Sequence, residues 1–81
     1  MNDTDVAGAI AAALNEIAPE VDISTLPRDA SLREEAELDS MDFLNFVVAL
    51  HERFGIDIPE SDYAALDTFD DCVAYLGQRL G

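Results

Sequence analysis

The sequence predicts an all-α fold: a small bundle of three main helices plus one short helix, in a single domain over residues 1–81. Three observations predict it. Apolar residues recur at spacings of three and four in separate segments, the mark of helices that bury one face. The one extended-looking stretch, Ile56-Asp57-Ile58-Pro59, is too short and isolated to make a sheet. With 81 residues, 49% of them hydrophobic, there is room for one small core that needs neither disulfide nor metal.

The first helix spans about 4–17. Val6, Ile10, Ala13, Leu14 and Ile17 fall on one face, Asn2 or Asp3 is available as cap, and Pro19 stops it. Residues 18–39 then read as a long loop with two prolines and scattered apolar anchors, Val21, Ile23, Leu26 and Leu32. Connections of that length in a small domain are uncommon and usually functional. This one also lets the helices it joins run roughly parallel, where a tight turn would make an antiparallel hairpin.

The second main helix, about 40–54, has the best-marked start. Asp39 is the N-cap, Ser40 the first helical residue and Asp42 the third, where a carboxylate suits the positive end of the helix. Leu38 and Phe43 occupy the two positions of a hydrophobic staple. Leu44, Val47, Val48, Leu50 and Phe54 supply the apolar residues, Phe46 joins the core, and Gly55 ends the helix. After the Ile56–Ile58 loop, a short helix covers 60–66. Thr68 caps the last helix, 68–80, with Asp71 three residues on and Phe69, Cys72, Val73, Leu76 and Leu80 along one side.

Charge narrows the function. Eighteen acidic residues face four arginines and no lysine, a net charge of −14. Nucleic-acid phosphates and anionic membranes would be repelled, so partners should present basic patches. Self-repulsion of this size should also loosen the fold at low salt. The N-terminus lacks the basic region of a signal peptide, and no apolar run is long enough to span a membrane. The lone Cys72 has no partner for an internal disulfide, which fits a reducing compartment such as the cytoplasm.

Catalytic constellations fail on spacing. Ser40 and the single histidine, His51, share one helix and stand roughly 16 Å apart along it at 1.5 Å per residue. Cys72 lies on an apolar face and reads as an inert thiol. One Cys and one His cannot build a zinc cluster, and the acidic segments lack the ligand pattern of a calcium loop. No catalytic residue and no metal site is expected. What remains is Leu38-Asp39-Ser40-Met41 at a helix start, followed by Phe54-Gly55-Ile56-Asp57-Ile58-Pro59 and Asp67-Thr68-Phe69-Asp70-Asp71.

From about Leu32 to Leu80, and more loosely over the first helix, this pattern resembles the acyl carrier proteins. That family's motif is Asp-Ser-Leu; Asp39 and Ser40 match it, and Met41 stands where leucine is usual. The resemblance implies that Ser40 receives covalent 4′-phosphopantetheine from coenzyme A through a phosphopantetheinyl transferase. Asp39 would assist that transferase by helping to hold its magnesium. It further implies a monomeric carrier whose thiol holds acyl groups as thioesters, with Met41, Asp42, Phe43 and Asn45 meeting acyl-transferring or acyl-activating enzymes, in fatty acid, polyketide or a specialised acyl pathway. An acyl chain would enter a cavity between the helices. Two departures, Leu38 before the aspartate and the aromatic Phe43-Leu44-Asn45-Phe46 run, point to a dedicated carrier. A non-covalent acidic adaptor of the same fold is the alternative, and it would have no need of Ser40.

Overall fold

The computed structural model describes residues 3–80. Helix α1 is Asp3–Ile17, followed by a 3-10 turn at Ile23–Thr25, α2 at Leu32–Glu35, α3 at Ser40–Phe54, a 3-10 helix at Glu60–Leu66, and α4 at Phe69–Leu80. The capping expected of Asn2 or the Asp3 side chain lies outside the described residues. Helix α1 packs on both α3 and α4, and α4 carries the Glu60–Leu66 helix. No strand forms among the described residues, only an isolated antiparallel bridge between Ser31 and Thr68.

The faces read from periodicity for α1 and α4 largely meet in the core. Val6, Ile10, Ala13 and Leu14 of α1 are fully buried with Cys72 and Leu76 of α4, while Ile17 and Leu80 sit partly buried at the edge. The ends of the long helices are closed by local chemistry. Thr68 Oγ1 accepts from the Asp71 amide at 2.9 Å, and the Thr68 amide donates back to Asp71 Oδ2 at 3.3 Å, a reciprocal capping box. Gly55 closes α3 in the left-handed region (φ 65°), with its N–H donating to the His51 carbonyl at 2.8 Å.

Two expectations are corrected. Residues 18–39 are not a bare loop. Asp22 Oδ1 accepts from the Ser24 amide at 3.0 Å and caps the Ile23–Thr25 turn. Further on, the Leu32 amide donates to the Asp67 carbonyl at 2.8 Å, and the Asp70 amide to the Arg28 carbonyl at 3.1 Å, stitching the segment to the start of α4. Single turns are too short to show a 3.6-residue period, and the bonds that fix the segment at Arg28 and Leu32 run to residues far along the chain, so the sequence pattern does not reveal them. Second, Leu44 and Val48 point outward, 43% and 51% exposed, while Phe46 is fully buried. At 100° per residue, Leu44 and Val48 share a side with Met41, roughly 140° from the face of Phe43, Phe46, Val47 and Leu50. Helix α3 therefore has two apolar faces, and α1 covers only one.

Candidate functional site at the head of α3

The turn before α3 sets the site. Helix α2 ends with Glu37 in the left-handed region (φ 54°). The Leu38 amide donates to the Arg33 carbonyl at 2.8 Å and the Glu37 amide to the Glu34 carbonyl at 3.3 Å, the two bonds of a Schellman closure. This reversal drops Leu38 into the core, 6% exposed, where Phe43 one turn into α3 is buried equally. With the residues on either side held inside, Asp39 and Ser40 are left at the surface, both exposed. Asp39 Oδ1 accepts from the Asp42 amide at 2.8 Å and so caps the helix whose first residue is Ser40.

Around the Ser40 hydroxyl the structure assembles groups distant in sequence. The Arg33 guanidinium lies 5.2 Å from the centroid of the Phe43 ring, and its Nη2 donates to Ser40 Oγ at 3.4 Å. Tyr63, from the 3-10 helix, meets Phe43 edge-on at 5.9 Å. An open groove of about 620 Å³ runs from Ser40 between α3 and the 3-10 helix, lined by Arg33, Phe43, Leu44, Tyr63, Ala64 and Asp67 among others. Its mouth combines a hydroxyl, a guanidinium and a capped helix N-terminus, which together favour a phosphate bonded to the hydroxyl.

The sequence-selected residues are placed unequally. Met41 is 67% exposed, Asn45 is exposed and Asp42 is half-buried, whereas Phe43, expected at a partner surface, faces inward. Its inward position follows from the staple with Leu38 and corrects that expectation: Phe43 shapes the groove and supports the surface from beneath. Arg33 and Tyr63 were not singled out from the sequence. No spacing signal links either to Ser40; only folding brings them there. Of the outward stripe, the sequence assigns Met41 to partner contact but counts Leu44 and Val48 with the apolar face, although their spacing from Met41 makes a second helical face legible.

The other chemical candidates stand apart. His51 lies in the last turn of the helix that Ser40 opens, and its Nδ1 donates to the Ile56 carbonyl at 2.7 Å. Cys72 is fully buried, its thiol pushed up to about 12 by burial and by the nearby negative charges of Asp71 and Asp67. Among the described residues no three His, Cys, Asp or Glu side chains gather as a metal site, and no helix is long and apolar enough to cross a membrane.

Comparison with known proteins points to one family. The family described as "Phosphopantetheine attachment site" matches residues 5–76. An acyl carrier protein of Rubrobacter xylanophilus is 36% identical over 56 residues, 69% of each chain. One from Thermosynechococcus vestitus is 30% identical over 60 residues, 74% of each chain. A third, from Campylobacter hominis, is 40% identical over 48 residues, 59% of this chain and 61% of the relative.

Proposed function

The chain belongs to the acyl carrier family of phosphopantetheine-attachment proteins, and from that premise we propose that Ser40 is the attachment residue of a carrier that presents acyl groups as thioesters. The observation that carries this reading is the Ser40 hydroxyl, exposed at the first residue of α3. Its surroundings suit the group. The hydroxyl is reachable by another enzyme, the first turn of α3 and the Arg33 guanidinium favour negative charge there, and the adjoining groove gives the arm a surface to follow.

In loading, Ser40 Oγ attacks the phosphorus that bears the pantetheine of coenzyme A. The bond from that phosphorus to the bridging oxygen breaks, adenosine 3′,5′-bisphosphate leaves, and the serine proton passes to a base on the transferase. Asp39, exposed beside Ser40, assists that enzyme and its metal while its Oδ1 holds the helix start. Once bound, the arm supplies a terminal thiol that holds an acyl group as a transferable thioester. The chain's own residues position the arm and display a docking face; none acts on the acyl group.

That face comprises Met41, Leu44 and Val48, flanked by Asp42 and Asn45. An apolar stripe on a chain of net charge −14 fits partner enzymes that ring an apolar contact with basic residues, the transferase and acyl-transferring or acyl-activating enzymes among them. The carrier acts as a monomer in the cytoplasm, a setting compatible with the unpaired thiol of Cys72. The aromatic Phe43 and Phe46 and the few carboxylates of this helix favour a dedicated partner set over general fatty-acid enzymes.

The test is intact mass after incubating the apo-protein with coenzyme A and a broad-specificity phosphopantetheinyl transferase. The wild type should gain one phosphopantetheinyl group and Ser40→Ala none. An unmodified wild type, or an adduct that survives the substitution, would defeat the assignment.

A further inference from the structure

Three of the four arginines are matched to carboxylates: Arg28 to Asp70 at 2.7 Å, Arg53 to Glu16 at 2.6 Å and Arg79 to Asp62 at 3.0 Å. Among the described residues Arg33 makes no such pair, although Glu34 and Glu35 adjoin it in a chain with eighteen acids. Its guanidinium instead lies over the Phe43 ring and directs Nη2 at Ser40 Oγ. At 3.4 Å the contact with a neutral hydroxyl is long and weak. A guanidinium in that position is fit for a stronger acceptor.

We propose that Arg33 is the phosphodiester anchor of this carrier: it binds the phosphate attached to Ser40 and turns the prosthetic arm toward the Phe43–Tyr63 groove. This rests on the attachment reading of Ser40. The non-bridging phosphate oxygens would lie two bonds from Oγ, within reach of the guanidinium after a small side-chain rotation. The planar fork of arginine can meet two of them at once.

Two features hold the guanidinium ready. It lies over the Phe43 ring, 5.2 Å from its centroid, and that ring is itself packed edge-on by Tyr63. Its own backbone carbonyl accepts the Leu38 amide in the turn that delivers Ser40, so anchor and attachment point belong to one short rigid unit. Restricting the side chain beforehand lowers the ordering cost of binding.

The anchor also answers an electrostatic difficulty. Asp39 and Asp42 flank the attachment point, and the phosphodiester adds a third negative charge to an acidic surface. The helix N-terminus offsets part of that repulsion, and Arg33 supplies the one full positive charge beside the hydroxyl. With the phosphate held on the Arg33 side, the arm leaves Ser40 along the aromatic wall and away from the Met41 side. Met41 and Val48 of the docking stripe then stay clear for partners, while Leu44, which also lines the groove, borders the arm.

The experiment uses the full chain, loaded with coenzyme A and the transferase and verified by intact mass. Arginine Nε–H resonances are recorded before and after loading, with Arg28, Arg53 and Arg79 as internal controls. The Arg33 signal should move and its solvent exchange slow several-fold, with the other three unchanged. In parallel, the change in melting temperature on loading should be more favourable in the wild type than in Arg33→Gln, with Arg33→Lys between them. A loaded protein whose Arg33 signal and exchange match those of the apo form overturns the anchor but leaves the attachment reading intact. Equal loading shifts in wild type and Arg33→Gln do the same. A wild type that takes no adduct overturns both.

Discussion

Tyr75 Oη donates to Asp62 Oδ2 at 2.7 Å, and through this bond α4 holds the 3-10 helix that forms one wall of the groove. Arg79 Nη2 reaches the same oxygen at 3.0 Å while its guanidinium lies 3.8 Å from the centroid of the Tyr75 ring. A seven-residue 3-10 helix has poor internal hydrogen-bond geometry and needs outside support. Leu66 provides it at one end by full burial, and Asp62 provides it in the middle. Burial, together with donation to the Asp62 carboxylate, holds the Tyr75 hydroxyl above its ordinary pKa, partly offset by Arg79.

Removing that hydroxyl should loosen the wall selectively. Tyr75→Phe loses a bond to a charged acceptor, on the order of 1.5 kcal/mol. Hydrogen exchange should quicken at Glu60–Leu66 and little in α1. Acceleration spread evenly over the chain would show that the bond is not a local tether.

Glu37 sits at φ 54° without being glycine. Glu37→Gly should stabilise the fold by about 0.5–1 kcal/mol, because the Cβ clash of the left-handed conformation outweighs the extra freedom given to the unfolded chain. Chemical denaturation of the apo-protein measures this. A less stable variant would mean that the Glu37 side chain contributes something the turn geometry does not reveal.

The two apolar faces of α3 should separate on mutation. Leu44→Ala, at an exposed position, should change stability by no more than about 0.5 kcal/mol. Phe46→Ala empties the largest fully buried side chain and should cost about 3–5 kcal/mol, a large part of the stability of so small a fold. Denaturant midpoints for the two variants check the assignment, and similar losses for both would contradict the orientation of the helix.

Cys72 gives the fold an alkaline limit. Its thiol ionises at about 12 in the folded chain against 9.0 in the reference state, so the folded protein holds this proton more tightly. The stability this contributes is complete below pH 9 and is lost as pH rises toward 12. Melting temperature should therefore fall more steeply over that window in wild type than in Cys72→Ala. At neutral pH iodoacetamide should leave the native thiol untouched and alkylate it only after denaturant is added. Rapid labelling of the native chain would place Cys72 nearer solvent than its burial implies.

What was legible in the sequence was mostly local or periodic. The bonds between Asp39 and Asp42 and between Thr68 and Asp71 close between residues three apart, so the caps could be read directly. The core faces of α1 and α4 followed from spacing alone. The same reasoning reads 18–39 as a loop, because α2 and the Ile23–Thr25 turn are about one turn each, too short to repeat the period, and the segment is held by bonds from Leu32 to Asp67 and from Asp70 to Arg28.

By itself the sequence determined the helical class, the acidic surface and the place of Ser40 at the opening of α3, since charge, periodicity and capping are properties of neighbouring residues. Only the tertiary structure decided which apolar side of α3 is covered, that Phe43 faces inward, and that Arg33 and Tyr63 meet at the mouth of a groove beside Ser40. The physical reason is that burial is a relation between elements. A helix carrying two apolar stripes has no internal preference between them until α1 occupies one, and a guanidinium has no address until the turn at Glu37 brings it back over the hydroxyl.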